Sequence, residues 1–308
     1  TGGAHTILVD LSRNLVRVND TEVHLQGQTI TGSVVGGEMC AKQNQYRVYF
    51  VLQVKEAPTK AGTFKEIQLT SGDGSRQGAR TGAESSCQET MRTVHVRVGI
   101  SYVSIANAEL NLAQEIPGWD SEKIRHDART AWNNVLGHVQ AKGGTDTQQK
   151  IFYTALYHSL LHPSIFSDVN GEYIGFDEHV HHARGRLQYA NFSGWDVYRC
   201  QVQLIAMLFP KVGSDIAQSM VADAEQGGGL PGWSMANEEG GSMVGDSSDI
   251  ILASIYAFGG QEFDTKAAFK AMLRGASDPT THSRWNAERT NLEEYLQRGY
   301  LVENPDNP

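Results

Sequence analysis

Cysteine is scarce in this chain: Cys40, Cys87 and Cys200 are all that 308 residues carry. Three thiols spaced so widely exclude a zinc site of the usual Cys/His pattern and a disulfide-stapled scaffold. Two readings stay open: one Cys40–Cys87 disulfide in an oxidising compartment, or three free thiols, with Cys200 buried in a helix. Positive charge is short as well. Lys and Arg number 26 against 35 Asp and Glu, and the net charge of −9 disfavours nucleic acid or an anionic membrane as partner. No apolar run approaches the ~18 residues of a membrane span. The opening TGGAHTILVD has neither a basic n-region nor an apolar h-region, so it does not read as a signal peptide. Hydrophobic residues, at 40%, suffice for packed cores, and the length suits two domains.

Residues 1–117 read as β. TILVDL, LVRV, TITGSVV, YRVYFVLQV and TVHVRVGISYVSI are β-branched, alternating runs between Gly, Asn and Asp turns, and predict an antiparallel β-sandwich. GSRQGARTGAESS reads as a polar loop between two of them. The first run begins almost at residue 1, which carries the expectation that part of the sandwich lies upstream. The period then switches. Over 118–144, Ile124, Ala128, Trp132, Val135 and Val139 recur at helical spacing, predicting a linking helix capped by Ser121 and stopped at Gly143-Gly144. Over 145–308, Thr145 and Gln148 form a capping box before KIFYTALYHSLLHP, which Pro163 closes. Helix patterns follow at about 196–209, 214–225, 248–258 and 265–273, then a second box at Thr290–Glu293 with Gly299 as stop. With no strand period between them, the array predicts an (α/α) toroid or bundle.

Polar and aromatic residues concentrate in YANFSGWDVYRC and GGGLPGWSMANEEGGSMVGDSSD. Trp195, Asp196, Arg199, Trp233, Asn237, Glu238 and Asp246 fall at turns or helix starts, not on hydrophobic faces. Aromatic platforms beside carboxylates, amides and guanidinium groups suit a sugar, whose C–H face stacks while its hydroxyls are hydrogen-bonded. The bland alternatives are a cap for Asp196, an i,i+3 pair with Arg199, and an Asx-turn at Asn237. Glu238 or Glu239 suits an acid, a hydroxyl acceptor or a hard-cation ligand. His158, His162, His179, His181 and His182 lack metal-site spacing and read as solvated or capping. SDVNGEY carries Asp-x-Asn-Gly but not the Glu of a calcium loop, and reads as a turn.

Taken together, FYTALYHSLLHPSIFSDVNGEYIGFD, YANFSGWDVYR, GGGLPGW…NEEGGSMVGD and YAFGGQEFD resemble glycoside hydrolase family 92, from about Tyr46 to Tyr300. The resemblance implies an N-terminal β-sandwich, a linking helix and an (α/α)6 toroid, here incomplete at both ends. It implies an inverting, exo-acting, calcium-dependent α-mannosidase, secreted or periplasmic, acting on mannose-terminated glycans with α-1,2 linkages expected. Trp195, Asp196 and Arg199 would hold the terminal mannose, with Trp233, Asn237 and Glu238 lining the same mouth. The family's acid, in an EGNxxQY-like motif, and its base, in a GNDD-like segment, do not occur here and are expected downstream, and the main calcium ligands are expected outside this chain. Two other classes remain: a sugar-binding segment without catalysis, and a different toroid glycosidase using Glu238 or Glu239 with Asp246 as its acid–base pair.

Overall fold

The computed structural model describes residues 5–88, 90–243 and 245–302. The outermost residues of both expected domains, 1–4 and 303–308, lie outside the described residues. The chain divides into two compact units, Thr1–Gly137 with Asp168–Tyr173, and His138–Ser167 with Ile174–Pro308. The expected linking helix therefore goes with the first unit, and so does a six-residue stretch well downstream of it.

Among its described residues, the sandwich of the first unit is built from β1 (Thr6–Asp10), β2 (Arg17–Gln26), β3 (Thr29–Gly37), β4 (Gln45–Val54), β5 (Lys60–Lys65), β6 (Gln68–Ser71), β7 (Gly74–Gln77), β8 (Thr81–Ser86) and β9 (Val96–Ser101). They form two antiparallel sheets, ordered β1-β8-β5-β6 and β7-β2-β3-β4-β9. Alternation places Val23, Leu25, Ile30, Phe50, Leu52 and Val54 in one core with Ala83 and Cys87. The expected sandwich is present. GSRQGARTGAESS is not a loop, however, but β7, a tight turn and β8. Its small polar residues hide a strand whose backbone pairs with β1 and β5, and such long-range pairing leaves no local signature.

Helix α1 (Ile105–Glu115) lies inside the stretch read as β. Ser104 caps it through the Asn107 N–H, and Ala108 and Leu112 pack on Val51 from the outer face of β4. The approach is close: a Cβ on Gly99 would come within 2.4 Å of the Ala108 carbonyl, so this position in β9 takes only glycine. Helix α2 (Ser121–Leu136) starts one residue earlier than expected, because the Asp120 carboxylate, not Ser121, accepts the Lys123 N–H.

The second unit carries α3 (Asp146–Ser159), α4 (Gly194–Val197), α5 (Gln201–Leu208), α6 (Pro210–Gly227), α7 (Ser247–Ala257), α8 (Thr265–Ser277) and α9 (Leu292–Arg298). Thr145 and Gln148 make both bonds of the capping box expected of them. The second box does not form. Asn291 sits at α9's N-terminus in left-handed backbone without a side-chain cap, while Gly299 ends the helix as expected, at φ 77°. The helix expected at 196–209 is broken at Cys200, whose φ of −155° separates α4 from α5. Helix α6 is buried along most of its length, and Ile216, Ala217, Met220 and Val221 meet Ile205, Ile251, Leu252 and Ile255 in the unit's core. Antiparallel sheets followed by packed helices is the fold class expected. All three cysteines are free. Cys87 is buried in the sandwich, while Cys40 is exposed, and Cys200 is exposed rather than buried because the helix breaks at it.

Candidate functional site

Two loops of the second unit build the site. The first, residues 189–193, leads into α4, and the second is a hairpin pairing Ser234–Met235 with Glu238–Glu239. They are stitched together. Ser193 and Trp233 form a β-bridge. Asn191, in left-handed backbone at φ 64°, donates its N–H to the Ser234 hydroxyl (3.2 Å) and accepts the Ala236 N–H on its side-chain oxygen (3.0 Å). Gly194 admits no side chain: a Cβ there would lie 2.2 Å from the Ser247 hydroxyl and 2.5 Å from the Gly232 carbonyl. That clearance lets α4 begin hard against the second loop and the start of α7.

A cavity of about 1130 Å³ opens where the loops meet, lined by Asn191, Ser193, Asp196, Arg199 and Trp233 among others. The structure thus brings together Asp196, Arg199 and Trp233 from the sequence-based set. Asp196 is not a helix cap. It stands in the first turn of α4, Ser193 is the N-cap residue, and the Ser193 hydroxyl donates to the Asp196 carboxylate. The Arg199 guanidinium lies 5.3 Å from the ring centroids of both Trp195 and Tyr198, and makes no ion pair with Asp196 among the described contacts. The two rings flank its cation, and Arg199 lines the cavity. The arrangement offers a carboxylate acceptor, a guanidinium donor and an indole surface, which is what a polyhydroxylated ring needs.

Trp195, Asn237 and Glu238 do not line this cavity. Trp195 is 41% exposed and serves as a platform for Arg199. Asn237 is buried in the hairpin, and Glu238 is buried in an ion pair with Arg284, which also holds Glu178. Its partner is 46 residues away, so no local signal marks the pair. Sequence reasoning missed His158, His162, Gln203 and Phe258 as further lining residues. The two histidines stand four apart at the end of α3, and in the sequence they read as solvated or capping.

The carboxylates of the alternative acid–base pair are all engaged. Glu239 accepts three peptide N–H groups, from Gly232 (2.9 Å), Trp233 (3.1 Å) and Gly241 (3.0 Å). Asp246 pairs with Arg289, which also binds Asp249 at 2.9 Å. Glu239, Asp246, Glu288 and Arg289 share a smaller cavity of about 330 Å³. Burial pushes Glu288 up to about 7, with the charges of Asp249 and Asp246 adding to it against the Leu230 N–H and Arg289; burial pushes Asp249 up to about 6, with Asp246 adding. Both groups bind protons more tightly folded than unfolded, so their stabilising contribution is complete below about pH 4 and is lost as pH rises through 6 and 7. We expect the second unit to melt at a higher temperature at pH 5 than at pH 8, with about 2 kcal/mol lost across that range after allowance for partial solvation. Glu288→Gln should remove about half of this slope, leaving the share of Asp249. A melting temperature that is flat from pH 5 to 8 in the unsubstituted chain would refute the assignment.

Among the described residues no helix is long and apolar enough to cross a membrane. Residues 107–307 match the profile of the glycosyl hydrolase family 92 catalytic domain, and residues 1–101 that of the family's N-terminal domain. A protein of Arthroderma benhamiae described as an uncharacterized secreted glycosidase is 26% identical over 249 residues, which cover 79% of this chain and 25% of that protein. A family 92 α-mannosidase of Bacteroides thetaiotaomicron superposes with a TM-score of 0.84 at 26% identity, covering 95% of this chain and 39% of that one. It has also been solved in complex with mannoimidazole. An inverting family 92 mannosidase of the same organism gives a TM-score of 0.87 at 25% identity, covering 99% and 41%. The chain thus spans about a quarter of the length of the curated relative and two fifths of these solved ones. With both profiles matched over most of its sequence, the chain belongs to glycosyl hydrolase family 92.

Proposed function

We propose that this chain is the sugar-holding part of an inverting, exo-acting α-mannosidase that removes terminal mannose, from α-1,2 linkages first, in a secreted or periplasmic setting. The observation that carries the reading is the joining of Asp196, Arg199 and Trp233 on one cavity by the Ser193–Trp233 bridge. In this reading Asp196 accepts sugar hydroxyls, Arg199 donates to them, and Trp233 takes the apolar ring face. Inversion needs one carboxylic acid to protonate the leaving oxygen and one carboxylate to activate water on the opposite face, ~6.5–9.5 Å apart. Glu238, Glu239 and Asp246 are spent on Arg284, peptide N–H groups and Arg289. We therefore assign the acid and base to segments of the family that this chain does not span.

Calcium, implied by the family resemblance, belongs to the same assignment. Among the described residues no three His, Cys, Asp or Glu side chains are grouped to hold a metal ion, and in this reading the chain's own residues bind and orient the sugar. The 308-residue chain should bind methyl α-mannoside yet release no mannose from α-1,2-mannobiose. Millimolar calcium should leave its melting temperature within about 1 °C, because an ion without a site on the folded state shifts nothing. Calcium-dependent turnover by the verified chain, abolished by Glu238→Gln, would replace this reading with the alternative acid–base pair.

A further inference from the structure

Glu239 is 1% exposed, the least accessible carboxylate near the cavity, and its carboxylate is bonded to the Trp233 main chain. One oxygen, Oε1, accepts the N–H groups of Trp233 and Gly241, and the other, Oε2, accepts that of Gly232. Its main chain grips the same turn. Glu239 pairs with Ser234 across the hairpin, and the Gly240 N–H donates to the Trp233 carbonyl at 2.6 Å. Side chain and backbone together hold the stretch 232–241 from the inside. Neither Gly232 nor Gly241 has another acceptor for its N–H among the described hydrogen bonds.

Three donors converging on one carboxylate define its chemistry. A carboxylate has about four acceptor sites and no donor, so it satisfies all three N–H groups at once. An amide has one acceptor oxygen and an NH2 group that would face a peptide N–H, and a shorter Asp does not reach. Burial pushes the Glu239 carboxyl up while these three N–H groups hold it down. A group so enclosed, and absent from the lining of the larger cavity, has no route for a proton to a sugar bound there.

We infer that Glu239 is a positioning residue, a carboxylate clamp that fixes Trp233 as the sugar-facing wall of the larger cavity. The inference rests on the sugar reading of that cavity, and it removes Glu239 from the candidate acids. Through Trp233 it sets affinity for the apolar face of a hexopyranoside without touching the ligand.

The test uses the 308-residue chain with Glu239→Gln, Trp233→Ala and both together, probed with methyl α-mannoside by NMR titration. The indole N–H resonance of Trp233 is assigned by its disappearance in Trp233→Ala. Glu239→Gln should move that resonance and weaken binding roughly tenfold, equivalent to about 1.4 kcal/mol. The double variant should bind no worse than Trp233→Ala, because two residues acting through one contact are not additive. An unmoved indole resonance with unchanged affinity overturns the clamp, as does a double variant that loses the sum of both effects. Should Glu239→Gln fail to fold, amide exchange on the unsubstituted chain decides: Gly232, Trp233 and Gly241 should all be strongly protected, and open-chain exchange at any of the three refutes the clamp. If the indole resonance moves as expected but the unsubstituted chain binds no mannoside, the clamp stands and the sugar reading falls.

Discussion

Asp168→Ala should destabilise the first unit by on the order of 4 kcal/mol, because several buried donors lose their acceptor at once. Asp168 is 6% exposed. Its carboxylate accepts the Ser101 hydroxyl and the side-chain amides of Asn107 and Asn111, each at 2.7 Å. Asn107 also donates to Glu172, and the Asn111 oxygen takes the Val169 N–H, so the residues form one closed network. Alanine would strip the Ser101 hydroxyl of its acceptor and leave one N–H of each amide unanswered, while the other N–H groups of Asn107 and Asn111 keep Glu172 and the Ile100 carbonyl; each lost bond costs about 1–3 kcal/mol. Asp168→Asn keeps the shape but turns an NH2 toward one donor, and should fall between the two. Urea unfolding followed by circular dichroism measures this. A change below about 1 kcal/mol for the alanine variant would mean that the network is not closed in solution.

Asp196→Ala should lower mannoside affinity tenfold to a hundredfold while leaving the melting temperature nearly unchanged. The two halves of this expectation have separate causes. A carboxylate facing the cavity is lost as a charged acceptor, at roughly 1.5–3 kcal/mol. The helix loses little, because Asp196 caps no N–H group and gives up only the Ser193 hydroxyl. Asp196→Asn separates charge from shape and should recover part of the affinity. Normal binding by Asp196→Ala, with a lowered melting temperature, would return Asp196 to a purely structural role.

The parts of this molecule legible in its sequence are those whose physics is local. The Thr145–Gln148 box is four residues long and closes as written, and the alternation of YRVYFVLQV survives as the interior strand β4. The parts that misled depend on partners far along the chain. TGAESS has no β-branched run beyond Thr81, yet it becomes β8 because strands on both sides supply its hydrogen bonds. Asn237 and Glu238 look ready for a ligand until Arg284 claims the carboxylate. Asp168 reads as the head of a turn, and the turn is there, with the Gly171 N–H on the Asp168 carbonyl; nothing nearby says that its side chain belongs to Ser101, Asn107 and Asn111. The cavity was half legible. Composition drew attention to both loops, but only the fold chooses which of their side chains face inward.

That segment 168–173 belongs to the first unit has a consequence for how the protein is made. A ribosome delivers Asp168 67 residues after the Ser101 it must meet. Until then the Asn111 amide has the Ile100 carbonyl, but the Ser101 hydroxyl lacks the acceptor it meets in the folded unit, and the sandwich awaits one carboxylate from further along the chain. The two units cannot be separated by a single cut: any fragment ending at residue 137 leaves its network open, and any fragment beginning there carries away the anion that closes it. At ~5–20 residues per second the wait is a matter of seconds, long enough for the sandwich to fold around an unfilled place and hold it.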